Sequence, residues 1–228
     1  MKRRIITTSD GSKTIKIEDW NEQYHSIHGA INEANHVFIK HGLLFCCSKI
    51  EAIQSASMNI LEIGFGTGLN AFLTLIEAEK KRININYVGV EAYPVSRQEI
   101  EQLNYVELTS ESHRSSFKKM HDSSWEVSHQ ISNNFRLEKQ KKFFKDIKDE
   151  STYDLIYFDA FGARVQPELW TEEIFQLMYR SLKPKGVLVT YAAKGSVRRA
   201  MQTVGFEVER LPGPPGKREM LRALKRRK

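Results

Sequence analysis

The chain has 228 residues, of which 40% are apolar and 28% charged, and its net charge is +7. These values are typical of a folded domain, and the sequence has no apolar run of the roughly 20 residues that a membrane helix needs. The only two cysteines, Cys46 and Cys47, are adjacent, which excludes a disulfide scaffold and favours a reducing cytoplasm.

The positive charge is concentrated at one end of the chain. Residues 217–228 hold seven Lys and Arg side chains and one acid, which leaves a net charge of +1 for all the rest. A cluster of this kind is either a solvated tail or an electrostatic contact for a polyanion such as RNA.

Taken in chain order, the first 57 residues predict an irregular N-terminal extension, with a short strand at Thr14–Ile17 and a partly helical stretch over Glu33–Lys49. From residue 58, strand and helix patterns alternate. The predicted strands are Met58–Ile63, Asn86–Val90, a weak strand near Phe143–Phe144, Tyr153–Phe158, Val187–Tyr191, Phe206–Arg210 and Glu219–Leu224. The predicted helices are Leu69–Glu79, Ser96–Leu103, Thr171–Leu182 and Ser196–Val204. Residues 104–135 show no clear pattern and predict short helices or an insertion near the site.

This alternation predicts an α/β fold, with a mostly parallel sheet of seven strands covered by helices on both faces. No helix is predicted between the last two strands, so we expect the last strand to be antiparallel. We expect residues 58–228 to form one catalytic domain, on which residues 1–57 pack as an extension.

A glycine-rich loop follows the first strand of this domain. Gly64, Gly66 and Gly68 lie between that strand and the first helix, where a doubly wound fold binds a nucleotide-like ligand. Glu91 ends the next strand, where a carboxylate can hold both hydroxyls of a ribose. The alternative is a tight turn with Glu91 as a solvated strand end.

The residue before this loop bears on the kind of ligand. The carboxylate of Glu62 would repel a pyrophosphate, which disfavours a NAD-dependent oxidoreductase, but it suits a ligand with a cationic end. The order Glu-x-Gly-x-Gly-x-Gly resembles motif I of Rossmann-like S-adenosyl-L-methionine (SAM)-dependent methyltransferases. The resemblance implies that SAM is the cofactor. Its methionine part would border Glu62, the glycines and Asn70, its ribose would contact Glu91, and its adenine would face Asp146.

A second acidic strand end follows Tyr153–Phe158. Asp159 lies at the carboxyl edge of the sheet, where it could orient an amine and help to remove its proton. The alternative is a turn or helix-capping residue. Phe161 could stack on a flat base or pack in the core.

A series of further motifs, in order along the chain, resembles one family. They are Tyr24-His25-Ser26, the loop Gly64-Phe65-Gly66-Thr67-Gly68-Leu69-Asn70, Phe158-Asp159-Ala160-Phe161, Pro167-Glu168-Leu169-Trp170-Thr171, Val197-Arg198-Arg199 and Gly216-Lys217-Arg218-Glu219-Met220. The series resembles the methyltransferase domain of the bifunctional tRNA 5-methylaminomethyl-2-thiouridine biosynthesis proteins (MnmC type), without their FAD-dependent oxidoreductase domain.

This resemblance implies SAM-dependent methylation of the aminomethyl group on C5 of the wobble uridine in the tRNA anticodon loop. The family places Asp159, Phe161 and Tyr24 at the reacting site, with Arg198, Lys217 and Arg218 near the RNA or supporting the site. It also implies that separate cytoplasmic enzymes supply the aminomethyluridine. The seven histidines show no metal-ligand spacing, so no metal is expected.

Two other functions are compatible with much of this pattern. A polyamine aminopropyltransferase shares the glycine loop, the ribose carboxylate and an Asp after the fourth strand, although a basic chain suits a polycationic substrate poorly. A non-catalytic RNA-binding module could keep the same fold, but the intact Glu62, Glu91 and Asp159 argue against it.

Overall fold

The N-terminal part of the chain forms a small antiparallel sheet followed by a helical rod. The computed structural model describes residues 2–49 and 57–226. The small sheet contains β1 (Arg3–Thr7), β2 (Lys13–Ile17) and β3 (Glu22–Gln23), in that order. The rod contains α1 (Ala30–Ala34), a π-helical segment (Asn35–Leu44) and α2 (Phe45–Lys49). It packs on the large sheet through buried apolar side chains such as Phe38, whose ring centroid lies 5.2 Å from that of Tyr157.

The rest of the chain alternates strands and helices around an eight-stranded sheet. The strands are β4 (Met58–Ile63), β5 (Ile85–Val90), β6 (Ser128–Ser132), β7 (Phe135–Gln140), β8 (Tyr153–Phe158), β9 (Leu182–Thr190), β10 (Phe206–Pro212) and β11 (Glu219–Lys225). The α-helices are α3 (Leu69–Lys81), α4 (Arg97–Ile100), α5 (Tyr105–Thr109), α6 (Arg114–Asp122), α7 (Glu172–Ser181) and α8 (Gly195–Thr203). Short 3₁₀ turns lie at Glu111–His113, Phe144–Asp146 and Pro167–Trp170.

The strand order in this sheet is β10-β11-β9-β8-β4-β5-β7-β6. The five central strands, from β9 to β7, are parallel, and the strands at both edges are antiparallel. Two apolar clusters lie on opposite faces, one under the helical rod and α3, the other under α7 and α8. The predicted α/β class and the antiparallel last strand are therefore confirmed.

The sheet has one strand more than predicted, and the strand that corresponds to the predicted third one, β7 beside β5, begins earlier in the chain than expected. The sequence placed that strand near Phe143–Phe144, but β7 occupies Phe135–Gln140, and Phe144 begins a 3₁₀ turn. The additional strand, β6, pairs with β7 as a hairpin at the edge of the sheet. The edge strand β6 is mostly polar, and β7 beside it has only Phe135 and Leu137 as apolar residues, so neither strand forms an apolar run.

The direction of β11 separates the cations at the end of the chain. Its first residues lie beside Thr190, at the carboxyl edge of the parallel strands, and Lys225 lies opposite Phe206 at the other edge. Seven residues of strand span about 20 Å. The chain after Lys217 thus runs away from the carboxyl edge of the sheet, and Arg227 and Lys228 lie outside the described residues.

Candidate active site

Register brings the acidic strand ends predicted from the sequence to one edge of the sheet. Ile63, the last residue of β4, lies beside Val90 on one side and Phe158 on the other. Glu91, Asp159 and the glycine loop therefore leave the sheet next to one another. They line one cavity of about 1350 Å³ that extends to the small N-terminal sheet.

Two glycines shape the loop that borders this cavity. Gly64 has a φ of 90°, and a Cβ atom there would lie 2.7 Å from the carbonyl oxygen of Asp159. Gly66 has a φ of 49°, and its N–H donates to Oε2 of Glu91 at 3.0 Å. Because these two residues have no side chain, the loop packs against the end of β8 and forms a hydrogen bond with Glu91 at the end of β5. Gly68, in contrast, is the residue before α3 and is not among the residues that line the cavity.

Glu62 and Asp159 share one donor. The side-chain amide of Asn70 donates to Oε1 of Glu62 and to Oδ2 of Asp159, each at 2.8 Å. Glu62 is only 1% exposed, and its Oε2 forms no hydrogen bond of good geometry within the described residues, although the carboxylate interacts with the buried hydroxyl of Tyr87. Burial, with the nearby charge of Asp159, raises the pKa of Glu62 well above its usual range.

Asp159 has a pKa that is raised by its surroundings. Burial in the cavity wall, with the neighbouring carboxylate of Glu33, raises its pKa to about 7. Glu33 accepts a hydrogen bond from the N–H of Ser26 and forms an ion pair with Lys217. The Lys217 ammonium also lies 3.8 Å from the ring centroid of Tyr191. A carboxyl group with a pKa near 7 can exchange a proton at neutral pH.

An aromatic wall, formed by Trp20, Tyr24 and Phe161, lines the cavity beside Asp159. The ring of Phe161 makes edge-to-face contacts with Trp20, at 5.6 Å between centroids, and with Tyr24, at 4.9 Å. Burial raises the pKa of Tyr24 well above its usual range, so its hydroxyl stays protonated. Arg164, three residues after Phe161, connects this segment to the N-terminal part of the wall, since its Nη2 donates to the carbonyl of Trp20 at 3.2 Å and to Glu22 at 2.8 Å.

The other end of the cavity lies beside Glu91. The Oε1 of Glu91 accepts from the N–H of Tyr93 at 2.9 Å, and the exposed rings of Tyr93 and Phe143 are in edge-to-face contact. Phe143 and Lys145 line the cavity. Asp146, the expected adenine contact, is exposed on a 3₁₀ turn and is not among the lining residues.

The three cations expected near RNA differ in their surroundings. Lys217 lines the cavity as described, whereas Arg198 lies partly buried on α8 and Arg218 is exposed just before β11. Both arginines are outside the cavity. Farther along β11, Lys225 donates to two backbone carbonyls, and Arg226, just past the strand, pairs with Glu207. Lys225 and Arg226 therefore make their contacts at the opposite edge of the sheet from the cavity.

Sequence reasoning did not assign a role to three residues of the cavity wall: Trp20, His25 and Glu33. Trp20 lies in a polar turn, where a large aromatic residue is itself a signal of a binding surface. Nδ1 of His25 lies 2.8 Å from the hydroxyl of Thr14, and burial lowers the pKa of His25 to about 4, so the ring stays neutral.

The described part of the chain contains neither a metal-binding cluster nor a membrane-spanning helix. Across residues 2–49 and 57–226, no group of three or more His, Cys, Asp or Glu side chains is arranged to hold a metal ion. None of the helices in this part of the chain has the length and apolarity that crossing a bilayer requires.

Comparison with known proteins identifies relatives of the whole chain. A family model described as S-adenosyl-L-methionine-dependent methyltransferase matches residues 107–226. The bifunctional tRNA 5-methylaminomethyl-2-thiouridine biosynthesis protein MnmC of Leptospira interrogans is 30% identical over 215 residues, which are 90% of this chain and 32% of that protein. Its counterpart from Idiomarina loihiensis is 27% identical over 220 residues, with 89% and 35% covered. The chain thus spans about a third of the length of these relatives.

Two solved structures share the fold. MNMC2 from Aquifex aeolicus superposes with a TM-score of 0.77 at 24% identity, over 97% of this chain and 69% of that chain. Spermidine synthase from Thermotoga maritima superposes with a TM-score of 0.54 at 15% identity, over 99% and 74%. Both are similar in fold, with a much closer fit to the first.

Proposed function

We propose that this chain, which belongs to the family of S-adenosyl-L-methionine-dependent methyltransferases, methylates a tRNA. The acceptor would be the amine of 5-aminomethyl(-2-thio)uridine at the wobble position, and the product 5-methylaminomethyl(-2-thio)uridine. The observation that carries the proposal is the position of Asp159, between the glycine loop and the aromatic wall. The names of the curated relatives indicate the same modification.

The residues at the glycine loop fit the cofactor of this family. The buried carboxylate of Glu62 lines the cavity and is an acceptor for the cationic methionine end, although it also interacts with the hydroxyl of Tyr87. The carboxylate of Glu91 keeps free lone pairs for ribose hydroxyls after accepting from Gly66 and Tyr93. When bound, SAM supplies a methyl group that its sulfonium has already activated.

Asp159 would act on the acceptor amine. An ammonium has no lone pair, so the amine must be neutral before it can take a methyl group. With a pKa near 7, the Asp159 carboxylate can accept a hydrogen bond from the amine and take up its proton. The protein's main contribution would be to hold the amine in line with the methyl group.

The aromatic wall would hold the base. Phe161, supported edge-on by Trp20 and Tyr24, offers a ring for stacking on uracil. Because its pKa is raised, Tyr24 would take part as a neutral hydroxyl and not as a base. The wobble base lies in a single-stranded loop, from which it can be turned outward into a pocket.

The tRNA backbone would contact the surface outside the cavity. Arg198 and Arg218 lie outside the cavity, and Arg218 is exposed beside the carboxyl edge of the sheet. We propose that they contact phosphates, whereas Lys217 supports the site through Glu33. Separate cytoplasmic enzymes would supply the aminomethyluridine.

Mass spectrometry of nucleosides tests this function directly. Incubating the protein with SAM and with tRNA that carries 5-aminomethyluridine should raise the mass of that nucleoside alone by about 14 Da, because a methyl group replaces one hydrogen on its amine nitrogen. The Asp159→Ala variant should lose most of the turnover, by about 10²-fold or more. Transfer from decarboxylated SAM to putrescine, with no change in the tRNA, would identify an aminopropyltransferase instead. Undetectable SAM binding by calorimetry would contradict the proposed methyl transfer.

A further inference from the structure

Asn70 lies at the junction of the two acidic strand ends. It is in the first turn of α3, is 2% exposed, and directs its side-chain amide at Glu62 and Asp159. An amide nitrogen carries two hydrogens, and the two 2.8 Å hydrogen bonds use both of them. The sequence motif assigns Asn70 to the cofactor, whereas in the structure both of its amide N–H groups donate to the carboxylates of Glu62 and Asp159.

We propose that Asn70 is a positioning residue for methyl transfer, which fixes Oδ2 of Asp159 and leaves Oδ1 to receive the acceptor amine. This inference rests on the proposed function. Oδ1 of Asp159 has no hydrogen bond within the described residues, so it is the oxygen that remains for a ligand.

The surroundings of Asn70 make it a rigid anchor. Its backbone carbonyl accepts from the hydroxyl of Thr74 at 2.7 Å, one turn along the helix. Its other carboxylate partner, Glu62, is held at the buried end of β4. The backbone of Asp159 is also fixed, since its N–H donates to the carbonyl of Ile63 at 2.9 Å. Side-chain rotation is the freedom left to Asp159, and the Asn70 amide removes it.

The same hydrogen bond also sets the proton affinity of Asp159. Burial and Glu33 raise its pKa, while the Asn70 amide and Lys217 lower it, because both favour the ionised carboxylate. The charged and titratable groups that face it come from several elements: Glu33 of α1, Glu62 of β4, Tyr191 after β9 and Lys217 before β11. The amide is an uncharged donor among these groups.

The Asn70→Leu variant isolates this role, since leucine has a similar volume but no donor. We expect the pKa of Asp159 to rise by about one unit, measured by ¹³C NMR titration of its carboxyl carbon. The acid limb of kcat/KM against pH should move upward by the same amount. The matched control is Ser181→Ala, which removes a fully buried hydroxyl at the end of α7, outside the cavity, and should leave both curves in place.

A double-mutant cycle with Asp159→Asn separates positioning from a general loss of structure. If Asn70 acts through Asp159, then Asn70→Leu should lower kcat at least tenfold alone and less than twofold in the Asp159→Asn background. Equal losses in both backgrounds, or an unshifted carboxyl titration in folded Asn70→Leu protein, would overturn the inference. The titration needs no substrate, so its result stands apart from the proposed function, which fails if the unaltered protein leaves aminomethyl-tRNA unmethylated.

Discussion

Replacing Asp159 by asparagine should stabilise the folded protein at alkaline pH more than at acidic pH. Burial and the neighbouring Glu33 raise the pKa of this carboxyl from 3.8 to about 7 on folding. Between these two values the folded state binds more protons than the unfolded state. The free energy of unfolding therefore falls as the pH rises through this window, and the asparagine side chain, which does not titrate, removes that fall.

The size of the effect follows from the two pKa values. A separation of about three units corresponds to about 4 kcal/mol over the full window, of which about 2–3 kcal/mol falls between pH 5 and pH 8. Asp159 faces a cavity and is partly exposed, so solvent screens its charge. We therefore expect about 1–2 kcal/mol of additional stability for Asp159→Asn at pH 8 relative to pH 5.

Urea unfolding of both proteins at pH 5, 6, 7 and 8, followed by tryptophan fluorescence, measures this difference. Asp10→Asn is the matched control with the opposite sign. Burial acts to raise the pKa of Asp10, but hydrogen bonds from Ser12, Asn32 and Thr8 outweigh burial and lower it. Its replacement should destabilise the protein equally from pH 5 to pH 8. A pH-independent difference for Asp159→Asn would refute the assignment of a raised pKa.

Three other substitutions test the loop, the aromatic wall and the RNA surface. Gly64→Ala should lower the free energy of unfolding by about 2 kcal/mol or more in urea titrations and abolish SAM binding by calorimetry, because its φ is positive and its Cβ would meet backbone. Arg164→Ala removes the exposed contacts of Arg164 with the Trp20 carbonyl and with Glu22, so the temperature of thermal unfolding should change little. The KM for tRNA should rise about threefold to tenfold, because these contacts hold the aromatic wall, while the Kd for SAM should stay constant. Arg218→Ala should reduce the slope of log K for tRNA binding against log salt concentration by about one. Arg226→Ala should leave this slope unchanged, because Arg226 pairs with Glu207 at the opposite edge of the sheet. Equal effects of the two substitutions would contradict the separation of the cations between the two edges.

The strands that consist mainly of buried apolar residues were predictable from the sequence. The bounds of β4 and β8 are those predicted, since both strands are buried on two faces and their residues form apolar runs. The edge hairpin of β6 and β7 was not predicted, because alternating polar residues such as Arg136 and Glu138 mask its pattern. Phe143, which attracted the prediction of a strand, is an exposed residue of the cavity rim.

The candidate site was predictable where its residues follow one another at strand ends. Glu62, Glu91 and Asp159 all line the cavity, since the carboxyl ends of adjacent parallel strands meet. Trp20 and Glu33 come from the N-terminal extension, and only the packing of that extension brings them to the site. Their local sequence carries no periodic signal for this contact.

The neighbouring carboxyl groups of Glu62 and Asp159 affect the heat measured when a ligand binds. Their raised pKa values mean that, without a ligand, these acids retain protons at a pH where free carboxyl groups have lost them. A cationic ligand brought against them favours their ionised forms, so its binding must expel protons into the buffer. The measured heat of SAM binding should therefore change with the ionisation enthalpy of the buffer, and the affinity should weaken as the solution becomes more acidic.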